Sequence, residues 1–211
     1  MIHKQILKMQ WVQFNHDELY HREIARLNVA DRMKHITLHL AKYSGQILEA
    51  DRDNDKKCYQ DNLVDTFIIS LSGANVVNLD LGRAITIPDA CVTNLGTLGH
   101  YLLSSRRQKP FDNFDFKVLF PVLVGRLAKA CESLDHVEAY AFRENMHTLI
   151  REIFEIVVIE SARLKIDMSA RAQTRLDSVR SKHMFDGFLR SQLTQVNEGG
   201  MEIGFLERRE A

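Results

Sequence analysis

The sequence predicts an all-α protein, a bundle of helices, on three observations. Its 211 residues include only 10 Gly and 3 Pro, about half of average usage, and few turn formers mean few turns. Long stretches place apolar side chains at steps of three and four, the helical period. The chain also matches itself at a shift of 87 residues, over a span holding two helices and their connector. The length is ample for a core, and 45% hydrophobic residues argue against disorder.

The first strong helix is predicted over 31–50. Met33, Ile36, Leu38, Leu40, Ala41, Ile47 and Leu48 form its apolar side, and His35, His39, Lys42, Tyr43, Gln46 and Glu49 its polar side. A charged connector, EADRDNDKKCYQ, precedes a second helix over about 60–76. Asp80, just before Leu81, is placed to cap a helix restart. Pro88 interrupts, and 89–104 is predicted helical again. From Ser104 to Phe116 charge is concentrated around Pro110 without an apolar period, which reads as a boundary. Further helices are predicted over 117–138, over 143–165, and from Asp167 onward, the last carrying Arg171, Arg175 and Arg180 along one side. The tail NEGGMEIGFLERREA is expected to leave the body as a loop or arm.

The shift of 87 lays Leu40-Ala41-Lys42 on Leu127-Ala128-Lys129 without a gap, and also pairs Phe67 with Phe154, Ile69 with Ile156 and Asp80 with Asp167. Two amphipathic helices match apolar positions at some shift by chance, which accounts for Leu on Ile. Chance accounts less well for one shift serving two helices, their connector and an aspartate cap. The expectation is two helical-hairpin halves, 1–105 and 106–211, packed as one bundle with pseudo-twofold symmetry.

Charge and motifs narrow the function. With 28 basic and 28 acidic residues the formal net charge is zero, so no long-range field draws nucleic acid or an anionic membrane. Alternating Asp177 makes the basic side from Arg171 to Lys182 read as a solvated face rather than a nucleic-acid surface. No apolar run approaches the ~18 residues of a membrane helix. MIHKQILKMQWVQF carries charges within its apolar stretch and lacks the pattern of a signal peptide. Cys58, Cys91 and Cys131 form neither a disulfide framework nor a metal knuckle, so a reducing, cytoplasmic location is expected. The phosphate and hydrolase loops G-x-x-x-x-G-K-[ST], G-x-G-x-x-G and G-x-S-x-G are missing.

The stretch Lys42-Tyr43-Ser44-Gly45-Gln46-Ile47-Leu48-Glu49-Ala50 resembles the E-E-x-G-E-L-x-E-A of the MazG-like all-α nucleoside triphosphate pyrophosphohydrolases. Asp61-Asn62-Leu63-Val64-Asp65, followed by TFIISLSGANVVNLDL, resembles that family's E-E-L-x-D, apolar helix and G-I-D-L turn. Arg151-Glu152-Ile153-Phe154-Glu155 through Lys165-Ile166-Asp167-Met168 repeats the later part. The resemblance implies two tandem MazG-like halves, usually dimeric as a family, that cleave a nucleoside triphosphate to monophosphate and pyrophosphate with Mg²⁺, or with Mn²⁺ in its place.

The family's metal motifs, E-x-x-E and E-x-x-D, fall in the first half on Tyr43, Gln46, Asn62 and Asp65, where only Asp65 is a carboxylate. Glu49 and Asp61 lie near enough to substitute in part. In the second half strict transfer gives Ala130, Ser133, Leu149 and Glu152. A move of less than a turn gives Glu132-x-x-Asp135 and Glu152-x-x-Glu155, and residues three apart share a helix face. Four carboxylates so gathered suit Mg²⁺. Glu152 and Lys129 are then the expected catalytic residues, and Lys42, Arg171 and Arg175 the expected contacts to the triphosphate. The same acidic residues also read as solvated stripes with local pairs, Lys129 with Glu132 and Arg151 with Glu155. On that reading the protein is a catalytically silent MazG-like scaffold for nucleotide or protein binding.

Two histidine patterns complete the list. His35 and His39 have the i, i+4 spacing of two zinc ligands, yet without a Glu between them or an evident third ligand they read rather as part of a solvated stripe. His136 beside Asp135 has the chemistry of a general base.

Overall fold

The structure, a computed structural model, describes residues 2–87, 92–107, 114–134, 136 and 141–189. Among them there is no strand. The helices are α1 (Ile2–Tyr20), α2 (Arg22–Ala25), α3 (Val29–Arg52), α4 (Lys56–Val76), α5 (Leu81–Ala84), α6 (Leu95–Arg107), α7 (Phe116–Glu132), α8 (Phe142–Arg163) and α9 (Met168–Arg180). The all-α expectation stands.

Four long helices make the centre. α3 packs against α4 and α7, and α8 packs against α4 and α7. Their buried faces merge in one continuous core that takes side chains from both sides of the 105/106 division, among them Met33, Leu40, Leu63, Phe67, Leu127, Ile150 and Phe154. Around this centre α1 lies on α4 and α5, α6 on α8, and α9 on α4. α6 thus crosses to the second hairpin and α9 to the first.

Local chemistry sets the helix ends. The Asn28 side chain accepts from the Asp31 N–H at the start of α3, and Asp55 accepts from the Cys58 N–H at the start of α4. Between them Asn54 takes the left-handed conformation at φ 55°, which asparagine tolerates best after glycine. The connector is therefore only Asp53–Asp55, shorter than the polar run predicts, because α3 continues to Arg52 and α4 begins at Lys56. Asp80 and Asp167 are N-caps as expected, accepting from the N–H of Arg83 and of Ala170.

Helix ends correspond at a spacing of 87. α4 closes with Leu79 N–H donating to Ala74 O at 2.8 Å, and α8 with Ile166 N–H donating to Ser161 O at 2.9 Å. Asn78 and Lys165 occupy the left-handed position of these two turns, at φ 56° and 57°. Beyond the caps the parallel stops, since α5 ends at Ala84 whereas α9 runs to Arg180.

Two expectations need correction, and one helix carried no expectation. α1 was not legible as a helix in the sequence, because its inward stripe includes Gln10, Gln13 and His16, and a polar stripe carries no hydrophobic period. Gln10 is buried because it is fully used, donating to Leu79 O at 2.7 Å and accepting from Leu81 N–H at 3.0 Å. On α3, Leu38 and Leu48 are exposed while Tyr43, Thr37 and Ser44 are buried, so the core face runs Met33, Ile36, Leu40, Tyr43, Ile47. α6 starts at Leu95 rather than 89. The expected boundary around Pro110 and the tail from 197 lie largely outside the described residues.

Candidate functional site

A cleft of about 740 Å³ opens between α3, α4 and α9. Lys42, Tyr43 and Gln46 line it from α3, Asp61, Asn62 and Asp65 from α4, and Arg171 and Arg175 from α9. Most of the residues expected for the first half therefore converge, although Glu49 stays on the exposed side of α3 and does not line the cleft. Helical spacing explains the alignment. Asp61 and Asp65 are one turn apart on α4, Arg171 and Arg175 one turn apart on α9.

The arginines are already engaged. Arg175 forks onto Asp65, Nε to Oδ1 at 2.6 Å and Nη2 to Oδ2 at 2.9 Å, the bidentate geometry that suits a planar guanidinium. Arg171 bonds to Asp61 and, at 2.8 Å, to the Gln60 amide oxygen. Lys57 holds the other Asp61 oxygen at 2.7 Å. Burial, then the charge of the neighbouring Asp65, pushes the Tyr43 hydroxyl up to about 12. Lys42 Nζ sits 4.1 Å from the centre of the Tyr43 ring. The Asn62 amide turns back along its own helix to donate to Cys58 O at 2.9 Å.

The second-half residues divide. Glu152 and Glu155 line one cleft of about 360 Å³ between α6, α7 and α8, with Arg106, Arg126 and Arg151. Glu155 lies 3.6 Å from Arg151 and 4.0 Å from Arg106. Arg106 and Arg126 escaped the sequence reading because nothing in their spacing ties them to Glu152. Glu132 does not line this cleft. It stands at the end of α7, 3.1 Å from Lys129 and 3.9 Å from His136. Asp135 lies outside the described residues. Arg171 and Arg175 face α4 rather than these carboxylates, because α9 crosses to the first hairpin.

Mg²⁺ favours several oxygen ligands in a near-octahedral shell and binds through carboxylates. In the first cleft Asp61 and Asp65 are each neutralised by a guanidinium, and one of the amides is turned away. In the second, Glu155 has two arginines near it and Glu132 stands apart. As the side chains stand, neither donor set fits an Mg²⁺ cage.

His35 and His39 are not on a solvated stripe. Their rings are 4.5 Å apart, and both line a separate cavity of about 350 Å³ that shares Tyr43, Asp65 and Arg175 with the α3/α4/α9 cleft. Burial, then the neighbouring His35 and Lys42, holds the His39 ring below its ordinary value.

Compared with family models, curated proteins and solved structures, the chain matches none.

Proposed function

We propose that the chain is a tandem bundle of two MazG-like hairpins that binds the polyphosphate of a nucleoside triphosphate in the α3/α4/α9 cleft, as a binding module without Mg²⁺-dependent pyrophosphohydrolysis. The observation that carries this reading is the paired arginine row, Arg171 and Arg175, held side by side over Asp61 and Asp65. Guanidinium groups oriented for carboxylate oxygens are equally oriented for phosphate oxygens. The Arg171 pair is the easier one to exchange, since Arg171 and Asp61 are 35% and 46% exposed and exposed ion pairs contribute only about 0–1 kcal/mol. Lys42 and Lys57 bring the cleft to four cations against Asp55, Asp61 and Asp65, an excess that favours an anion. The tandem reading draws on the two matching helix closures, at Asn78 and Lys165, with their aspartate caps.

A second reading, pyrophosphate release with Mg²⁺ or Mn²⁺, draws on Glu152 and Glu155 in a single cleft with Arg106, Arg126 and Arg151. One experiment separates the two. The chain is titrated with canonical and modified (d)NTPs, with and without Mg²⁺ or Mn²⁺, by calorimetry, and each mixture is assayed for pyrophosphate. Saturable, salt-sensitive binding without pyrophosphate is the expected result. Pyrophosphate release that disappears in Glu152→Gln decides for the enzyme. Neither binding nor release removes both readings.

A further inference from the structure

We propose that the cavity enclosed by α1, α2, α3, α4 and α9 is a binding site for one borderline divalent cation of the Zn²⁺ class, with His16, Asp17 and His21 as its protein ligands. One ligand atom from each of these residues lies within 4.8 Å of the other two. All three line the same cavity as His35 and His39. The sequence reading of the two α3 histidines lacked a third ligand. The fold forms a different three-ligand group beside them, His16 and Asp17 from α1 with His21 just after it, and hydrophobic periodicity does not reveal α1.

The strongest indication is His16. It is only 5% exposed, yet neither of its ring nitrogens has a hydrogen-bond partner among the described residues. An imidazole buried without partners costs about 1–3 kcal/mol, and a structure retains such a group where something else satisfies it. A metal ion accepts the lone pair that no protein donor reaches. The Nδ1 of His39 is buried and unpartnered against the same cavity.

Asp17 has the surroundings of a metal-binding carboxylate. Gln13 Nε2 donates to its Oδ1 at 2.8 Å and Ser72 Oγ to its Oδ2 at 2.7 Å. Outer-shell donors of this kind fix the direction of a ligating carboxylate. His21 stands at the break between α1 and α2, in a non-helical conformation at φ −131° and ψ 45°. Its side chain is 42% exposed, so it can swing inward. A tetrahedral ion with ligands ~2.0–2.1 Å away places ligand atoms roughly 3.4 Å apart, and that swing supplies the contraction.

The donor set chooses the ion. Two imidazoles and one carboxylate suit Zn²⁺ and its neighbours, whereas Mg²⁺ and Ca²⁺ require oxygen shells. The cations on the cavity wall, Arg32 and Arg175, are accompanied by Glu23 and Asp65, and Arg175 is already paired with Asp65. Three protein ligands leave one position open, to water or to a further imidazole from α3.

The test uses the untagged, chelator-stripped full chain and no nucleotide, so it stands or falls apart from the nucleotide reading. Co²⁺ is titrated by its visible absorption, and Zn²⁺ by competition against it. The expected result is one equivalent of Co²⁺ bound and displaced by Zn²⁺, with Mg²⁺ without effect. His16→Gln, Asp17→Asn and His21→Asn each weaken binding at least about tenfold, the lower end for residues shaping a metal shell, while His136→Asn leaves it unchanged. Thermal melts without metal verify that the variants fold, and the half-exposed His21→Asn carries the conclusion if His16→Gln does not. Absence of saturable Co²⁺ binding overturns the proposal. So does wild-type affinity in folded Asp17→Asn and His21→Asn.

Discussion

Phe67 on α4 and Phe154 on α8 stand 87 positions apart in the chain, and their rings meet in the core with centroids 5.6 Å apart. Both are completely buried. The proposed twofold relation between the hairpins would bring corresponding positions into contact at its axis, as these two are. Phe67→Ala and Phe154→Ala should each cost about 3–5 kcal/mol, the usual range for a large aromatic removed from a core. Because the rings contact each other, the double variant should lose less than the two single losses together, by about 0.5–1.5 kcal/mol. Urea unfolding of the four proteins measures this, and strict additivity would show that the contact carries no energy of its own.

The proposed nucleotide binding makes a prediction of opposite signs. Arg175 is paired with Asp65 in the free chain, and on that proposal phosphate would take Asp65's place. Arg175→Gln removes the phosphate donor and should weaken triphosphate binding about tenfold, the effect of one lost charge-assisted contact worth ~1.5 kcal/mol. Asp65→Asn releases Arg175 from its carboxylate and should strengthen binding by several-fold. Calorimetric titration at two salt concentrations checks both signs, and weakening by Asp65→Asn would place the phosphate elsewhere.

How much of this was legible depends on whether the signal was local. The caps at Asp80 and Asp167 were readable because an N-cap is chemistry within one turn. The four central helices were readable because their inward faces are apolar. α1 was hidden because Gln10, Gln13 and His16 face inward, and with it went two thirds of the metal-ligand set, His16 and Asp17. The pairs Arg171–Asp61 and Arg175–Asp65 span 110 residues. Their spacing within each helix is visible in sequence, but the crossing of α9 onto α4 is a property of the packed bundle. For the same reason the arginines were expected beside the second-half carboxylates and are found over the first-half ones.

The histidine cavity gives the metal-free chain a pH dependence whose sign follows from burial. His21 and His39 are both held below the ordinary value of 6.5 in the folded chain. As pH falls through 6.5 the unfolded chain takes up protons that the folded chain refuses, so the unfolded state is favoured. Stability should be fully present well above that value and decline as the pH drops through it, before most carboxylates titrate. His39 faces His35, Lys42, His21 and Asp65, of which only the carboxylate opposes the trend. Thermal melts in chelator at several pH values check this. His39→Gln should flatten the slope, and a melting temperature that rises on acidification would contradict it.

Glycine substitutions should separate close packing from idle flexibility. Gly99 lies on α6 where it crosses α8, and a Cβ built there would sit 2.5 Å from the Val158 carbonyl oxygen and 2.6 Å from the Ala162 Cβ. Neither neighbour is the free end of a flexible side chain, so the helices must part. Gly99→Ala should cost about 1–3 kcal/mol, the range for overpacking. At Gly73 the clash is with the Ile150 Cδ1 at 2.9 Å, a methyl end that can turn aside, so Gly73→Ala should cost less than Gly99→Ala. Gly45 on α3 and Gly125 on α7 have nothing within 4 Å of the same added atom. There alanine only reduces the freedom of the unfolded chain, and each substitution should stabilise by about 0.5–1 kcal/mol. Urea midpoints of the four variants read the order directly. A neutral Gly99→Ala would mean that α6 does not lie against α8 as closely as the 2.5 Å approach requires.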